Sequence, residues 1–378
     1  MNEKMVRFTQ SVLQAISVLI PVRENRVAFL RRSFSGSNIT PLIDWMRANH
    51  PEIDILLLDS STSGQLVGTG KLSSRIRQYL ALLQSRVIVT THGPFLKTAR
   101  NTTVELWHAF PTKKASALFS QRALRRIKRI NRLTDHFVSY SDFSSLLYNS
   151  RNQMDFSKYV PLGAPRNDYL FSSMPDPYHK DYKKVILYAP TFRESFDNSK
   201  PLRMNFWFDD FSAKEFHDFL VQNGILFIWK LHPNDEKRWS VIDQTDFPSN
   251  LLILTDNQLR EMGVDLYQLL SLSDVLITDF SSIYADYLLL DRPMIFTAAD
   301  ELRFNEERGL LLNPYDGWMP GPKCRNFAQL KEEILRSFRD PAYFQSERHF
   351  LRRIFHLYTD GGSTERVGKF ILSLLRSK

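Results

Sequence analysis

The sequence predicts an α/β protein with two halves, each built around a doubly wound, mostly parallel sheet. Short apolar runs alternate with segments of helical spacing along all 378 residues, a pattern typical of parallel strands joined by crossover helices. The length exceeds that of a usual single domain. A polar stretch at 171–183, which contains Pro175 and Pro177, interrupts the pattern and is expected to link the halves.

Each element is predicted from its local pattern. Strands are predicted where apolar and β-branched residues form short runs, at 26–30, 53–58, 86–90, 103–107, 136–139, 185–189, 225–230, 251–254, 275–278 and 294–297. Helices are predicted where apolar residues recur every three or four positions, at 41–48, 72–83, 117–133, 213–222, 265–271, 281–290 and 327–338.

The stretch 273–293 indicates a phosphate site. An apolar strand leads through Asp279 to Ser281 and Ser282, which open a predicted helix. Hydroxyl groups at such a start can cap the helix, and the backbone N–H groups of the first turn can bind an anion. Ligands of open α/β sheets lie beyond the carboxyl ends of the strands, where these residues fall. An ordinary capped helix without a ligand is the alternative.

A histidine follows the predicted strand 103–107. A neutral imidazole at His108 can accept the proton of an attacking hydroxyl group because its pKa lies near neutral pH. Lys113 and Lys114 follow closely, which favours an anionic ligand nearby. The alternative for a single histidine is a partly buried ring that hydrogen-bonds within its loop.

Two further strand ends carry cations. His232 follows the strand 225–230, and in an extended chain it shares a face with Lys230. Such a cationic pair suits a phosphate or pyrophosphate. Arg193 follows the strand 185–189 and offers a planar fork that matches phosphate oxygens. A surface salt bridge with Glu194 is the alternative for Arg193.

The charge of the chain favours an anionic partner. The net charge is +9 and the isoelectric point is near 9.5, which fits a phosphorylated substrate, an acidic membrane surface or nucleic acid. The predicted helix 117–133 is basic and amphipathic, and a second amphipathic helix is predicted at 6–19, so both could lie on a membrane. No nucleic-acid-binding motif is present, so nucleic acid is not expected as a partner.

Several classes of protein are excluded by missing motifs. The single cysteine, Cys324, rules out an internal disulfide framework and fits a reducing compartment. No Cys/His pattern has zinc spacing, so no metal site is expected. The sequence has neither a dinucleotide-binding GxGxxG nor a P-loop, and Ser281 lacks the flanking glycines of a nucleophile elbow. The apolar N-terminal stretch is too short to span a bilayer and has no signal-peptide cleavage pattern.

Taken together, the motifs resemble those of the CDP-glycerol glycerophosphotransferase family, which includes teichoic acid primases, polymerases and capsule enzymes. The resemblance rests on an ordered series of motifs that spans about 26–370: WHAFPTKK at 107–114, LGAPRNDYL at 162–170, YAPTFRE at 188–194, KLHP at 230–233, SDVLITDFSSIYADY at 273–287, RPMIFTAADEL at 292–302, PGP at 320–322 and TDGGSTER at 359–366.

This resemblance implies a GT-B architecture, in which two Rossmann-like domains face each other across a cleft. Residues 1–175 would form the acceptor-side domain, and residues 176–378 the domain that binds a CDP-polyol. The implied reaction transfers glycerol 3-phosphate from CDP-glycerol to a hydroxyl group of a lipid-linked or polymeric glycan and releases CMP. No metal or cofactor beyond the donor is implied, and the enzyme would be cytoplasmic and peripheral on the inner face of a bacterial membrane.

The resemblance also implies roles for individual residues. His108 would be the general base and His232 the second catalytic histidine. The other site residues fall into three groups: donor-phosphate ligands Arg193, Lys230, Ser281 and Ser282, nucleotide- or polyol-side residues Asp279, Asp286, Asp360, Ser363, Thr364 and Arg366, and acceptor-side residues Lys113, Lys114, Arg166 and Asp168.

One departure concerns Ala109, because the family usually has glycine after the Trp-His pair, and a methyl group there restricts the backbone. Glycerol and ribitol donors are both compatible with the motifs, as are a primase and a polymerase. Two other readings stay open. One is a sugar transferase or epimerase of the same fold that uses a nucleotide sugar, and the other is a non-catalytic protein that binds a nucleotide or a membrane.

Overall fold

The structure is a computed structural model that divides into two compact units. It describes residues 20–59, 72–94, 96–115, 118, 121–192, 206–236 and 250–376. The first unit comprises the described residues within Met1–His108, Ala115–Asp168 and Asp360–Lys378, and the second comprises those within Ala109–Lys114 and Tyr169–Thr359.

The first unit contains a six-stranded parallel sheet in the order β2-β1-β3-β4-β5-β6. Its strands are β1 (Arg23–Arg31), β2 (Asp54–Asp59), β3 (Ser85–Thr90), β4 (Thr102–Glu105), β5 (His136–Ser139) and β6 (Tyr159–Pro161). Successive side chains of a strand point to opposite faces, so Val27 and Phe29 pack in one core while Ala28 and Leu30 pack in another. Both faces are therefore covered, as parallel sheets require.

The second unit also contains a six-stranded parallel sheet, in the order β12-β11-β10-β7-β8-β9. Its strands are β7 (Lys184–Tyr188), β8 (Ile225–Lys230), β9 (Leu251–Leu254), β10 (Val275–Thr278), β11 (Met294–Thr297) and β12 (Lys323–Cys324). Ile186, Phe227 and Ile277, from three neighbouring strands, share one aromatic-rich core.

Helices connect the strands and cover the sheets. In chain order, the α-helices of the described residues are α1 (Ile39–Asn49), α2 (Leu72–Leu83), α3 (Gln121–Leu133), α4 (Asp142–Asn152), α5 (Ala213–Asn223), α6 (Asp256–Met262), α7 (Leu266–Leu272), α8 (Ile283–Tyr287), α9 (Glu301–Glu307), α10 (Tyr315–Trp318), α11 (Phe327–Arg339), α12 (Gln345–Phe355) and α13 (Ser363–Arg376). Many have a capping side chain where they begin. Ser212, for example, accepts a hydrogen bond from the Glu215 backbone N–H at the start of α5.

The α/β class and the two parallel sheets are confirmed, and most predicted strands lie within two residues of the observed ones. The end of the predicted strand 103–107 is wrong, because β4 stops at Glu105. The Glu105 side chain accepts a hydrogen bond from the Trp107 N–H in the following loop. The predicted helix 281–290 divides into α8 and a 3-10 turn, Leu288–Leu290. Two short edge strands, β6 and β12, were not predicted.

The division of the chain differs from the predicted domains 1–175 and 176–378. The chain leaves the first unit after Asp168 rather than in the polar stretch 171–183. It returns to the first unit at Asp360. The C-terminal helix α13 belongs to the first unit because Val367 and Ile371 are fully buried in the core that also contains β1 and β3. The predicted assignment of α13 to the donor domain therefore has to be corrected.

Of the two predicted membrane-facing helices, the structure describes one. The amphipathic helix at 6–19 lies outside the described residues. The basic helix is present as α3, with Ile127 buried and Arg125, Arg126 and Lys128 exposed. Among the helices that the structure describes, none is long and apolar enough to cross a bilayer.

Candidate functional site

The first unit brings polar side chains together at the carboxyl ends of three adjacent strands. Arg32 follows β1, His92 follows β3 and His108 follows β4, and these strands are neighbours in the sheet. The imidazole rings of His92 and His108 are stacked with their centroids 4.1 Å apart. A ligand site is expected at this edge of a parallel sheet.

A buried carboxylate fixes the loop that carries His108. Glu105 is 1% exposed and accepts hydrogen bonds from the Thr90 hydroxyl group, the Gly93 N–H (2.8 Å) and the Trp107 N–H (2.9 Å). It therefore ties the loop after β3 to the loop after β4. Burial raises the pKa of Glu105 to about 7, although these three hydrogen bonds act in the opposite direction.

Two more side chains hold the carbonyl groups of the same loop. Asn38 donates to the Trp107 carbonyl oxygen at 3.0 Å, and the buried Arg166 donates to the His108 carbonyl oxygen and to the Tyr140 hydroxyl group. The structure thus gives Arg166 a positioning role, because its guanidinium is engaged by the protein. The predicted place of Arg166 on the acceptor side stays a prediction.

The hydrogen bonding of His108 defines which ring nitrogen is basic. Its Nδ1 lies 3.0 Å from the Thr91 carbonyl oxygen. A carbonyl group only accepts, so Nδ1 carries the proton and Nε2 of the neutral ring has the lone pair. The side chain is exposed, and within the described residues Nε2 has no partner.

The His108 ring is neutral at pH 7. Desolvation by the surrounding protein, together with the positive charges of Arg166, Arg151 and Arg32, lowers its pKa to about 4, although the hydrogen bond to Thr91 raises it. A neutral ring with an available Nε2 can accept a proton from a hydroxyl group.

Trp107 supports the other face of the His108 ring, with centroids 4.6 Å apart. Trp107 has a φ of 52°, so the left-handed residue of this loop is Trp107 and not Ala109. Ala109 therefore adopts a backbone conformation that does not need glycine. The buried guanidinium of Arg151 lies 5.2 Å from the centroid of the Trp107 ring, in cation–π geometry.

The second unit has a matching arrangement at its own sheet edge. Thr191 follows β7, His232 follows β8 and Asp279 follows β10, and these three strands are also adjacent. Asp279 is fully buried, and its Oδ1 accepts from the Thr191 N–H (2.8 Å) and the Ser281 N–H (3.1 Å). Asp279 therefore positions the loops that follow β7 and β10, and its predicted place on the nucleotide or polyol side stays a prediction.

His232 has the opposite tautomer to His108. The Asn234 backbone N–H donates to Nδ1 of His232 at 3.2 Å, so the proton of the neutral ring is on Nε2. Desolvation and the positive charges of Lys113 and Lys230 lower the pKa of His232 to about 4, although Asp256 and Asp279 raise it. The exposed ring is therefore neutral at pH 7 and presents an N–H donor.

Lys113 lies on the second unit rather than with the acceptor-side residues. Its Nζ donates to the Thr191 hydroxyl group at 3.1 Å, and its charge acts on His232. The segment is held there because Lys113 forms a β-bridge with Leu310 and the Lys114 N–H donates to the Gly309 carbonyl oxygen. The predicted acceptor-side placement of Lys113 and Lys114 is corrected to the unit that carries His232.

Lys230 is held in a buried ion pair. It is 5% exposed, and its Nζ lies 2.8 Å from Asp256 Oδ1 and donates to the Leu231 carbonyl oxygen at 2.6 Å. A buried ammonium with these partners stabilises the strand end. The predicted contact of Lys230 with the donor phosphates stays a prediction.

Ser281 and Ser282 stand where α8 begins. Ser282 is the N-cap residue, and its side chain makes no capping hydrogen bond. Within the described residues neither serine hydroxyl makes a hydrogen bond, and both side chains are half-buried. The expected capping by these hydroxyl groups is absent, which leaves them able to bind a ligand.

Four further predicted site residues, Asp286, Asp168, Ser363 and Thr364, have structural partners. Asp286 is fully buried and accepts from the Tyr267 hydroxyl group at 2.6 Å. Asp168 accepts from the backbone N–H groups of Ser363 and Thr364 at 3.0 and 2.7 Å, which caps α13. The predicted place of Asp168 on the acceptor side stays a prediction, as does that of Asp286, Ser363 and Thr364 on the nucleotide or polyol side.

Arg366 completes the same arrangement in the first unit. It pairs with Asp360 at 2.8 Å and donates to the Leu162 carbonyl oxygen at 3.1 Å. The motif at 359–366 thus anchors the C-terminal helix, and Asp360 and Arg366 are not on the donor-binding unit where they were predicted. Arg193 lies outside the described residues, so its predicted role stays a prediction.

Four residues of these two sites were missed by sequence reasoning: Asn38, Glu105, His92 and Thr191. The available signal was their position, since each lies at or near the carboxyl end of a predicted strand or at the start of a helix. A polar residue at such a point is expected to bind a ligand or to position one that does.

Comparison with known proteins identifies the family. The family model for CDP-glycerol:poly(glycerophosphate) glycerophosphotransferase matches residues 12–373. The teichoic acid ribitol-phosphate primase of Bacillus spizizenii is 26% identical over 96% of this chain and 94% of its own. The teichoic acid glycerol-phosphate primase of Bacillus subtilis is 25% identical over 95% of this chain and 92% of its own.

Solved structures give the fold. A variant of the wall teichoic acid polymerase TagF superposes with a TM-score of 0.79 at 20% identity, over 97% of this chain and 93% of that chain. A UDP-N-acetylglucosamine 2-epimerase of Listeria monocytogenes reaches 0.54 at 11% identity over 93% and 97%, which reflects the shared architecture alone. The predicted GT-B class, with two Rossmann-like domains, is confirmed. The chain is an enzyme that belongs to the CDP-glycerol:poly(glycerophosphate) glycerophosphotransferase family.

Proposed function

We propose that the protein transfers glycerol 3-phosphate from CDP-glycerol to a hydroxyl group of a lipid-linked or polymeric acceptor in teichoic acid synthesis, with release of CMP. Membership of the family supports the donor and the reaction type. Relatives named as teichoic acid primases and polymerases support the pathway and the acceptor class.

One observation carries this proposal. The two exposed histidines, each at a carboxyl edge of a parallel sheet, have opposite tautomers. His108 presents a lone pair at Nε2 because Nδ1 donates to Thr91, whereas His232 presents an N–H at Nε2 because Nδ1 accepts from Asn234. A base for an incoming hydroxyl group and a donor for phosphate oxygens are the two functions that this transfer needs.

In the proposed reaction, the acceptor oxygen attacks the phosphorus that carries the glycerol group. The new P–O bond forms as the bond between this phosphorus and the oxygen bridging to the CMP phosphate breaks. The acceptor proton passes to Nε2 of His108, and the electron pair of the broken bond stays on CMP. The His232 N–H donates to the phosphate oxygens, where negative charge has to be neutralised.

The donor phosphates would be bound by residues of the second unit. Lys113 supplies a cation beside His232, and the hydroxyl groups of Ser281 and Ser282 supply hydrogen-bond donors. Arg193 follows the same strand as Thr191 in the sequence and is proposed as a further phosphate ligand. We propose no cofactor beyond the donor, so activity is expected to persist in EDTA.

The function is tested by the products of the reaction. Purified protein is incubated with CDP-glycerol, CDP-ribitol or UDP-N-acetylglucosamine and a panel of lipid-linked acceptors, and products are identified by mass spectrometry. The expected result is CMP together with an acceptor that has gained one or more glycerol phosphate units. Release of UDP from the sugar donor, without CMP from either CDP-polyol, would overturn the proposal.

Replacement of Lys113 tests the assignment of donor ligands. Lys113→Gln is expected to raise the KM for CDP-glycerol about tenfold or more, because a charge-assisted contact is worth roughly 1.5–3 kcal/mol, while the KM for the acceptor stays unchanged. Lys114→Gln is the matched control, since Lys114 is exposed and its side chain packs near Gly309. A rise in the KM for the acceptor alone would show that Lys113 contacts the acceptor and not the donor.

We further propose that the enzyme is peripheral on the inner face of the bacterial membrane, where a lipid-linked acceptor is available. The exposed cations of α3 support this, because basic residues near a surface favour anionic lipid. The protein is expected to sediment with vesicles of anionic lipid at low salt. It is not expected to sediment with vesicles of neutral lipid. Equal recovery with both vesicle types would contradict the proposal.

A further inference from the structure

A small pocket of the first unit has no role in the reaction described above. It lies at the carboxyl ends of β1 and β3, has a volume of about 30 Å³, and is lined by Leu30, Arg31, Arg32, Thr90, Thr91, His92 and Gly93. A space of this size accommodates a small polar group, which can belong to a larger molecule that extends beyond the pocket.

The charge of the pocket comes from Arg32. Its exposed side chain makes no hydrogen bond and no ion pair with any described residue. The neighbouring Arg31, in contrast, is paired with Asp59 at 2.6 Å and donates to Thr40. Arg32 is thus a guanidinium without an ion-pair partner in the part of the chain that the structure describes.

The charged groups near Arg32 do not cancel the positive charge of its guanidinium. The nearest carboxylate, Glu105, attracts Arg32 but is buried and already accepts three hydrogen bonds. Arg126 of α3 repels Arg32 and has no acidic partner among the described residues. Two like charges that make no ion pair with a described residue favour an anion beside them.

The neutral side chains of the pocket suit the same ligand. His92 is half-buried, its Nδ1 lies 2.9 Å from the Thr91 hydroxyl oxygen, and its Nε2 has no partner within the described residues. Desolvation and the neighbouring His108 and Arg32 lower the pKa of His92 to about 2, so it adds no charge. The guanidinium supplies the charge, and the hydroxyl and imidazole groups supply hydrogen bonds.

The position of the pocket relates it to the acceptor. The His92 ring, which lines the pocket, is stacked on the His108 ring, 4.1 Å away, so the pocket adjoins the proposed base. The donor-phosphate ligands belong to the second unit, whereas every residue of this pocket belongs to the first.

We propose that this pocket binds a phosphate group of the acceptor and so places the acceptor hydroxyl group at His108. The inference rests on the proposed function. The phosphate can come from the diphosphate of a lipid-linked glycan or from the phosphodiester of a polyol chain, and both present the same oxygens to Arg32.

The test compares Arg32→Gln with wild type on three acceptors: a lipid-linked glycan diphosphate, a glycerol phosphate oligomer and an uncharged glycoside of the same glycan. The KM for a phosphate-bearing acceptor is expected to rise roughly tenfold or more. The KM for CDP-glycerol and the KM for the uncharged glycoside stay at the wild-type values. Arg47→Gln, at an exposed position on α1, is the matched control.

The outcomes separate the two possible phosphate sources and the two proposals. An effect on the diphosphate acceptor alone identifies the lipid-linked source, an effect on the oligomer alone identifies the polyol chain, and an effect on both identifies a general phosphate site. The proposal for the pocket is overturned by any of three results: an equal change in the KM for the uncharged glycoside, a change in the KM for the donor, or no change in any KM. Failure of wild type to release CMP with any acceptor overturns the proposed function itself.

Discussion

Replacement of His108 by alanine is expected to lower kcat/KM for the acceptor by about a hundredfold to ten-thousandfold, the range typical of losing a general base. In the proposed reaction the lone pair on Nε2 of this ring accepts the hydroxyl proton, because Nδ1 is engaged with the Thr91 carbonyl oxygen. CMP release at saturating CDP-glycerol measures the effect. The fold should persist, since the side chain makes one hydrogen bond and two ring contacts.

His217→Ala is the control for this change. His217 lies on α5, is half-buried and makes no hydrogen bond with any described residue. The turnover and the melting temperature of the His217→Ala variant should equal those of wild type. If His108→Ala also retained wild-type turnover, the assignment of the base would be wrong.

The pH dependence of the wild type provides a second check. The proposed reaction needs the neutral ring of His108, so activity is expected to fall as the pH falls through the pKa of His108. That pKa is lowered to about 4, and the pKa of His232 is also lowered to about 4. The value of kcat/KM should therefore be flat from pH 8 to pH 6, where an ordinary histidine of pKa about 6.5 would already lose activity. An acid limb centred near pH 6.5 would contradict this.

Arg348→Leu is expected to destabilise the second unit by about 3 to 5 kcal/mol, the cost of breaking a buried ion pair from one side. The Arg348 side chain is 1% exposed. Its guanidinium donates to Asp291 Oδ1 (3.1 Å) and to the carbonyl oxygens of Tyr343 (2.6 Å) and Pro341 (2.8 Å). The variant leaves these acceptors without their donor, and leucine cannot replace it.

Urea unfolding measures this loss as a lower midpoint at an unchanged slope. Arg353→Leu is the matched control, because Arg353 lies on the same helix, α12, and is exposed. A surface substitution of this kind is expected to change stability by less than about 0.5 kcal/mol. Equal midpoints for the two variants would show that the buried guanidinium is not a stabilising element.

Most strands were predictable because the local pattern determines them. The strands at 225–230 and 275–278 were predicted with their observed bounds, since each is a continuous apolar run that both faces of a covered parallel sheet require. The short strands β6 and β12 were missed. They have three and two residues, too few for a periodic signal, and Pro161 ends the first of them.

The site residues show where local reasoning stops. The positions of His108, His232, Ser281 and Ser282 at sheet edges follow from strand ends alone. Asp168 instead receives its hydrogen bonds from residues almost 200 positions away, and no local pattern contains that partner. Lys113 was placed with His108 because it is near in sequence, whereas its β-bridge to Leu310 fixes it to the other unit.

The path of the chain limits how this enzyme can be divided. The chain passes from one unit to the other four times, at 108/109, 114/115, 168/169 and 359/360. A single cut after residue 168 would take α13 away from the core it completes and would leave Lys113 on the wrong fragment. The base and a proposed donor ligand are only five residues apart in sequence although they belong to different units. Acceptor and donor functions are therefore not separable modules that recombination could exchange with one breakpoint.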